Sequence, residues 1–426
     1  MSRKRIYFLL FNAVVATTLL GWFRINSLFL ILLLVYTLWE NGLGNTLGTS
    51  FRNKYFWGYL AFGLIETAGL LHTHDMAAGS NVVSKDATLV AMAIVLCAGK
   101  FPDKAGYRKL MSDYCLLVAA VSLYCLVVAA GRYIQYHDPA VFFYHPLTTP
   151  ISQNAVFYSV FVLFGAIYLL SPGGTLYLPH WLANGQKTFR LVLLLFLSAV
   201  LILLSSKLIL VILLVVVLYS LRKYYTTGKS RRLVLIFGLS FLAVMAVLTL
   251  TDNPIRARFQ EIFNPDLDMI RSEKFTPGTG FNYLQIRVLE WHFAIELLNE
   301  HHAWLFGVSP GDSQHLLDQK YIDANMWIGN PADGPHRKIR GFIGYNFHNQ
   351  YIETLVRDGL LGLCSLLAIF WLLAGIVTKW RTSLAFFTVL TLVVFFIPEA
   401  PLTMQTGVFL FCFFPLLLLH SPRQGE

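Results

Sequence analysis

Residues 191–221 form an apolar run broken only by Ser205-Ser206-Lys207, and that run constrains the fold before any other feature does. As a single helix it is about 46 Å long at roughly 1.5 Å per residue, well beyond a hydrocarbon core of about 30 Å. As two helices that turn at Ser-Ser-Lys, each half is short, but tilt and snorkelling ends let it cross. A soluble protein has no way to hide two such stretches, Leu191–Leu204 and Leu208–Leu221, without large exposed apolar patches. Composition agrees: 13% of the residues are charged and 56% hydrophobic, against about 25% charged in an average soluble domain. A disordered chain, a coiled coil and a disulfide scaffold are excluded on the same grounds. The sequence reads as an all-α polytopic membrane protein.

Spans are expected at 6–23, 25–39, 55–71, 86–99, 112–131, 154–171, 191–205, 208–221, 232–251, 360–378, 382–397 and 403–420, about twelve in all. Charge decides how residues 191–221 are divided. With a hairpin there, nineteen bases fall on one side, including Arg3-Lys4-Arg5 and Arg222 through Arg232. The short loops opposite then hold only Arg24, Lys85, Arg132 and Lys207. Positive charge marks the cytoplasmic side, so both termini are expected in the cytoplasm, with Lys207 at an outer hairpin tip. The basic N-terminus followed by an apolar run lacks a small-residue cleavage site and reads as an uncleaved first span. These loops account for the net charge of +10, which therefore calls for no nucleic-acid partner.

One loop differs from the others. Residues 252–347 lie between spans nine and ten on the outer side and separate 1–251 from 348–426. This segment and the start of the next helix hold 14 of the 23 acidic residues. Its Pro, Gly and amphipathic stretches, notably 283–299, predict a folded lid. The five cysteines all fall in apolar stretches and read as small hydrophobes.

The strongest local motif is Tyr345-Asn346-Phe347-His348-Asn349-Gln350-Tyr351, followed by Gly359-Leu360-Leu361-Gly362. It stands where the long loop re-enters the membrane. His348 and Asn349 are expected to open a helix, with Tyr351, Ile352 and Leu355 as its apolar face and Gly359 and Gly362 permitting a bend. The pattern His-Asn-x-Tyr, six residues, Gly-Leu-Leu-Gly, after a long outer loop, resembles the O-antigen ligase and polymerase family. Gln285-Ile286-Arg287-Val288-Leu289-Glu290-Trp291, then Leu305-Phe306-Gly307-Val308-Ser309-Pro310-Gly311, is similar to the family's Arg-x-x-x-Trp helix and Gly-rich turn. Leu204-Ser205-Ser206-Lys207 sits where members usually carry Ser-Arg, and His145-Pro146 through Asn154-Ala155 resembles the segment before the sixth span.

The resemblance implies a metal-independent glycosyltransferase without cofactor in the bacterial inner membrane, with its active site on the periplasmic face. Its donor would be a glycan on undecaprenyl diphosphate, its acceptor a hydroxyl of lipid A-core or of another glycan, and its surroundings membrane lipids. Such a transfer needs a base for the hydroxyl proton and cations for the leaving diphosphate. An imidazole suits the first near neutral pH and a planar guanidinium the second. His348 is accordingly assigned as base, Arg287 and Lys207 as the diphosphate clamp, and Asn349 and Arg340 as further substrate contacts. Lysine at 207 keeps the charge of the usual arginine but loses its fork, and the competing reading is a snorkelling helix end. Arg287 has a competing reading too, pairing with Glu290 or Trp291 on its own helix.

Other groups carry weaker signals. Glu66, in mid-span, is expected to be neutral and hydrogen-bonded. His72-x-His74-Asp75 and His301-His302 lack a complete ligand set at metal spacing. Arg337 and Lys338, with Arg340, fit phosphate recognition or a solvated face equally well, and Asp312 and Asp318 are guesses for sugar hydroxyls. There is no Walker loop, dinucleotide fingerprint or Asp-x-Asp motif, which argues against a nucleotide-driven pump or nucleotide-sugar transferase. Ligation to lipid A-core is the first expectation, followed by polysaccharide polymerisation and glycan transfer to protein. A lipid or polysaccharide transporter is the reading from another class; it calls for internal repeats, which the sequence lacks.

Overall fold

The computed structural model describes residues 3–98, 101–179, 185–227, 231–251, 256, 272, 274–329, 341–380 and 382–422. Among the described residues every regular element is a helix. The apolar runs are occupied by Arg3–Leu19, Phe23–Asn41, Lys54–Gly69, Met76–Ala98, Lys104–Tyr136, Ala155–Leu170, Gln186–Leu204, Lys207–Thr227, Arg231–Leu250, Gln350–Trp380, Ser383–Phe395 and Gln405–Leu417. Five of these are long and apolar enough to cross a membrane: Phe23–Asn41, Met76–Ala98, Lys104–Tyr136, Gln186–Leu204 and Gln350–Trp380. A sixth is added if Tyr144–Ile151 and Ala155–Leu170, bent by 83°, count as one span. Ser383–Phe395 and Gln405–His420 are shorter apolar helices.

Several boundaries differ from the hydropathy reading. The helix expected from residue 86 begins at Met76, so Lys85 lies inside it rather than in a loop. Its polar first half, from Met76 to Asp86, is opened by Asp75, whose Oδ1 accepts from Ala78 N–H at 2.9 Å, a capping signal that hydropathy does not register. Arg132 is likewise helical, and its guanidinium donates to the Pro146 carbonyl at 2.8 Å. A nine-residue helix, Leu43–Phe51, was not expected. The break at Ser205-Ser206 is a sharp one: Ser205 is left-handed at φ 50° and its N–H caps the preceding helix on Leu201 and Ile202. A left-handed residue ends a helix by turning the chain away from the next carbonyl, and a new helix starts at Lys207.

Among the described residues there are two cores. The larger joins the apolar helices through Phe11, Phe161, Phe409 and Phe411 among others. In lipid there is little hydrophobic gain from pairing helices, so close packing and buried hydrogen bonds hold them. Tyr59, whose hydroxyl donates to the Phe411 carbonyl at 2.8 Å, is one such tie. The smaller core belongs to the segment after residue 274 and gathers Leu289, Phe293, Leu297, Leu317 and Tyr321 with Val356. Its helices are Tyr283–Glu300 and Ser313–Asp323.

The lid grips the Gln350–Trp380 helix through its backbone. Gly359 breaks that helix at φ 66°, ψ −163°, so the expected bend is a break in the helical conformation. The freed groups are satisfied by the lid: Val308 N–H donates to Val356 O, Ser309 N–H to Arg357 O, and Leu360 N–H to Trp304 O. A Cβ on Gly359 would lie 2.3 Å from the Leu305 backbone, and one on Gly307 2.2 Å from the Arg357 carbonyl. Only glycine permits two backbones to cross this closely.

Candidate active site

Tyr283–Glu300 opens with a capping box. The Asn282 side chain accepts from the N–H groups of Leu284 and Gln285, and Gln285 Oε1 accepts from Asn282 N–H at 2.8 Å. Such a cap fixes where the helix starts, and so which residues share a face. Tyr283, Arg287, Glu290 and Trp291 follow at helical spacing and turn towards the segment around His348 and the turn at Pro398-Glu399.

Arg287 is buried. Its Nε and Nη2 donate to the Pro398 carbonyl at 3.0 and 2.8 Å, and Nη2 also meets Glu399 Oε1 at 2.9 Å. Its guanidinium lies 3.6 Å from the centre of the Tyr283 ring, and Tyr283 Oη donates to the same carboxylate oxygen at 3.2 Å. The partner of Arg287 is therefore Glu399, not Glu290 or Trp291. Burial pushes the Glu399 carboxyl above its ordinary range, and the charge of Arg287 opposes that rise.

Glu290 is committed elsewhere. Its Oε2 lies 2.8 Å from His348 Nδ1, and its Oε1 accepts from Tyr321 Oη at 3.1 Å. Trp291, next along, donates its indole N–H to the Phe347 carbonyl at 3.0 Å. His348 itself does not open the helix. It stands before it in the left-handed region at φ 45°, with its N–H on Asn346 Oδ1 at 2.9 Å. Asn349 is the residue that starts the helix, its Oδ1 accepting from Ile352 N–H at 3.1 Å. Burial lowers the imidazole pKa, but the hydrogen bond and charge of Glu290 outweigh it and the net direction is upward. With Nδ1 held by a carboxylate, Nε2 is the nitrogen left to exchange a proton.

The turn 396–404 is tied to the same place by Gln350, which is fully buried. Its N–H donates to the carbonyls of Phe396 and Glu399, and its Oε1 accepts from Leu402 N–H at 2.7 Å. The carboxylate that holds Arg287 is thereby fixed relative to the residue after Asn349.

A cavity of about 460 Å³ adjoins this constellation. Arg287, Glu399, Tyr283 and Lys207 stand in its wall, and the remainder is mostly apolar, including Leu208, Val211 and Ile397. Lys207, at the hairpin tip, has its Nζ 5.9 Å from the centre of the Tyr283 ring. The structure therefore places Arg287 and Lys207 in one cavity wall, with His348, followed by Asn349, tied to the Arg287 helix through Glu290. Arg340, with Arg337 and Lys338, lies outside the described residues. Glu290, Glu399, Tyr283 and Gln350 were not singled out as site residues by the sequence reading. Only Glu290 and Tyr283 carried a usable signal, their helical register with Arg287.

The weaker sequence signals resolve differently. Glu66 is buried and lies against Arg357 inside the bundle. Asp312 has a structural task. Burial works against its charge, but the N–H groups of His74 and Asp75 and the Ser309 hydroxyl outweigh it and hold its pKa at about 2. Asp318 accepts from Gln314 and from Gly344 N–H. His72, His74, His301 and His315 line a cavity of about 400 Å³ with Asp312. Among the described residues, however, no three His, Cys, Asp or Glu side chains are grouped to hold a metal.

Apolar helices thus bring together a buried guanidinium, a carboxylate-bound histidine and a largely apolar cavity. Residues 191–367 match the family model described as O-antigen ligase, and this part of the chain is an O-antigen ligase family domain. The match contains Lys207, Arg287, Glu290, His348 and Asn349, whereas Glu399 lies beyond it. No curated protein matches the chain.

Proposed function

We propose that the chain transfers a glycan from undecaprenyl diphosphate to an acceptor hydroxyl at the periplasmic face of the bacterial inner membrane, with lipid A-core as the acceptor and no metal in the reaction. The observation that carries this reading is the Glu290–His348 pair standing beside the cavity walled by Arg287 and Lys207. The apolar part of that cavity suits the isoprenoid, and the two cations suit the diphosphate. His348 Nε2 takes the proton of the attacking hydroxyl. The new C–O bond forms at the first sugar as its bond to phosphate breaks, and the diphosphate leaves with its electron pair. Fixed cations at that leaving group typically lower such a barrier by a few kcal/mol.

The reading includes about twelve spans, cytoplasmic termini and the lid between spans nine and ten. A reporter fused near residue 225 is expected to read cytoplasm; a periplasmic signal breaks the hairpin and moves His348 to the wrong side. The decisive experiment is lipopolysaccharide banding in a deletion strain complemented with the wild-type chain or with His348→Ala. Loss of O-chains in both the deletion and the variant, at equal protein abundance, supports ligation. Single-repeat chains identify a polymerase instead, and unchanged lipopolysaccharide points to another acceptor.

A further inference from the structure

On the far side of the turn that carries Glu399 lies a second cavity, of about 420 Å³. Its lining is unlike that of the first. Arg24 and Lys85 contribute two cations, and Asn81, Ser84, Gln153 and Gln405 supply amide and hydroxyl groups. Phe23 and Phe157 add flat apolar faces, and no Asp or Glu belongs to the described wall. Asp86, next to Lys85, is buried behind it.

A half-buried lysine in a membrane helix is costly unless something holds it, and here the backbone does. Lys85 Nζ donates to the Thr403 carbonyl at 2.9 Å. The hydroxyl of the same Thr403 accepts from Asn346 Nδ2 at 3.3 Å, and Asn346 Oδ1 holds the N–H of His348. The cavity is thus joined to the proposed base through one residue of the turn. The turn separates two unlike spaces: Glu399 faces the apolar cavity and Met404 the polar one. All of the residues lining the polar cavity lie outside 191–367, whereas the apolar cavity takes Lys207, Arg287 and Trp291 from within it.

A transfer reaction must seat an acceptor as well as a donor, with the acceptor hydroxyl within reach of the base. We propose that the Arg24–Lys85 cavity is the acceptor subsite, and that it takes a carbohydrate bearing an anionic group, phosphate or carboxylate. Many hydrogen-bonding groups with aromatic faces suit a sugar. A guanidinium can hold two oxygens of an anion and the ammonium adds a point charge. This assignment deepens the transfer reading of the preceding subsection and rests on it for the word acceptor.

The test uses the full chain in detergent, comparing wild type, His348→Ala and the double variant Arg24→Gln/Lys85→Met. The probes are a deacylated, phosphate-bearing lipopolysaccharide oligosaccharide, the same oligosaccharide stripped of phosphate, and a carboxylate-bearing oligosaccharide of equal length. Wild type and His348→Ala are expected to bind at least one anionic probe ten-fold or more tighter than the stripped one. The double variant should lose that preference while its affinity for the stripped probe is unchanged. Absence of any anion preference, or its survival in the double variant, overturns the proposal. Should the double variant unfold, Arg24→Gln alone is expected to lose part of the preference and Lys85→Arg to keep it; the reverse pattern is equally fatal. In turnover, the double variant should raise the acceptor KM ten-fold or more with the donor KM within two-fold, and a shift in the donor KM instead rejects the acceptor role. Binding needs no turnover. A wild-type chain that binds but never transfers therefore refutes the transfer reading and the acceptor role while leaving the anion site standing.

Discussion

Glu290 Oε2 lies 2.8 Å from His348 Nδ1, and the carboxylate is fully buried while the imidazole is partly exposed. This order, with the orienting acid inside and the proton-carrying ring at the edge of the site, is that of a carboxylate–histidine dyad. It assigns different tasks to the two nitrogens of one residue. Nδ1 is fixed on Glu290, and in the proposed reaction Nε2 takes the proton.

Replacing Glu290 with Gln should separate orientation from charge. The His348 pKa is raised because Glu290 outweighs burial, and a base works only when deprotonated. Activity should therefore fall as the pH drops through the raised value of the pair. Without the carboxylate, burial dominates and the acid limb of the pH–rate profile should move to lower pH. The plateau should drop by about 10²–10⁴-fold, the range for loss of an assisted base. An unshifted acid limb would remove Glu290 from the proton path.

Arg287 carries a structural duty as well as a chemical one, and two variants distinguish them. Arg287→Met leaves Glu399 buried and unpaired, a loss of about 3–5 kcal/mol, and thermal unfolding should register it. Adding Glu399→Gln should restore most of the stability but none of the transfer. Recovery of transfer in the double variant would reduce the guanidinium to scaffolding.

Lys207→Arg should keep at least a tenth of wild-type turnover, because the charge remains at the hairpin tip. Lys207→Met should lose about 10²-fold, an amount typical of one electrostatic contact at a leaving group. Steady-state rates with lipid-linked donor give the comparison. Equal rates for Met and wild type would leave position 207 as a helix end and nothing more.

Gln350→Leu removes the acceptor of Leu402 N–H while keeping the side chain's bulk. The orphaned donor should cost about 1–3 kcal/mol. Since Gln350 ties the Glu399 turn to the helix after His348, kcat should fall more steeply than melting temperature, with donor KM raised. A variant that melts lower yet transfers normally would show that the turn positions itself.

Much of this was legible because membranes simplify the problem. Apolar runs had to be helices, and the helix at each run follows from backbone groups having no partner in lipid. The Ser205-Ser206-Lys207 break and the Arg287 helix were visible as interruptions and register. What escaped were relations that only tertiary structure creates. Nothing in the sequence near Glu399 distinguishes it, because its importance comes from Arg287, more than a hundred residues earlier. Lys85 looked like a loop base because its helix begins in polar sequence. The neighbour of Glu66 was hidden because Arg357 reaches it from a distant part of the chain.

The crossing of Gly307 and Gly359 has a mechanical consequence. Because lid and membrane helix share backbone hydrogen bonds at that point, the loop is clamped to the half-helix 350–358 instead of hanging from it as a free flap. A tilt of the lid on a bulky glycan would act as a lever on that short segment, whose first turn follows His348 directly. The two glycines thus tie the position of that loop to the turn of helix that follows His348.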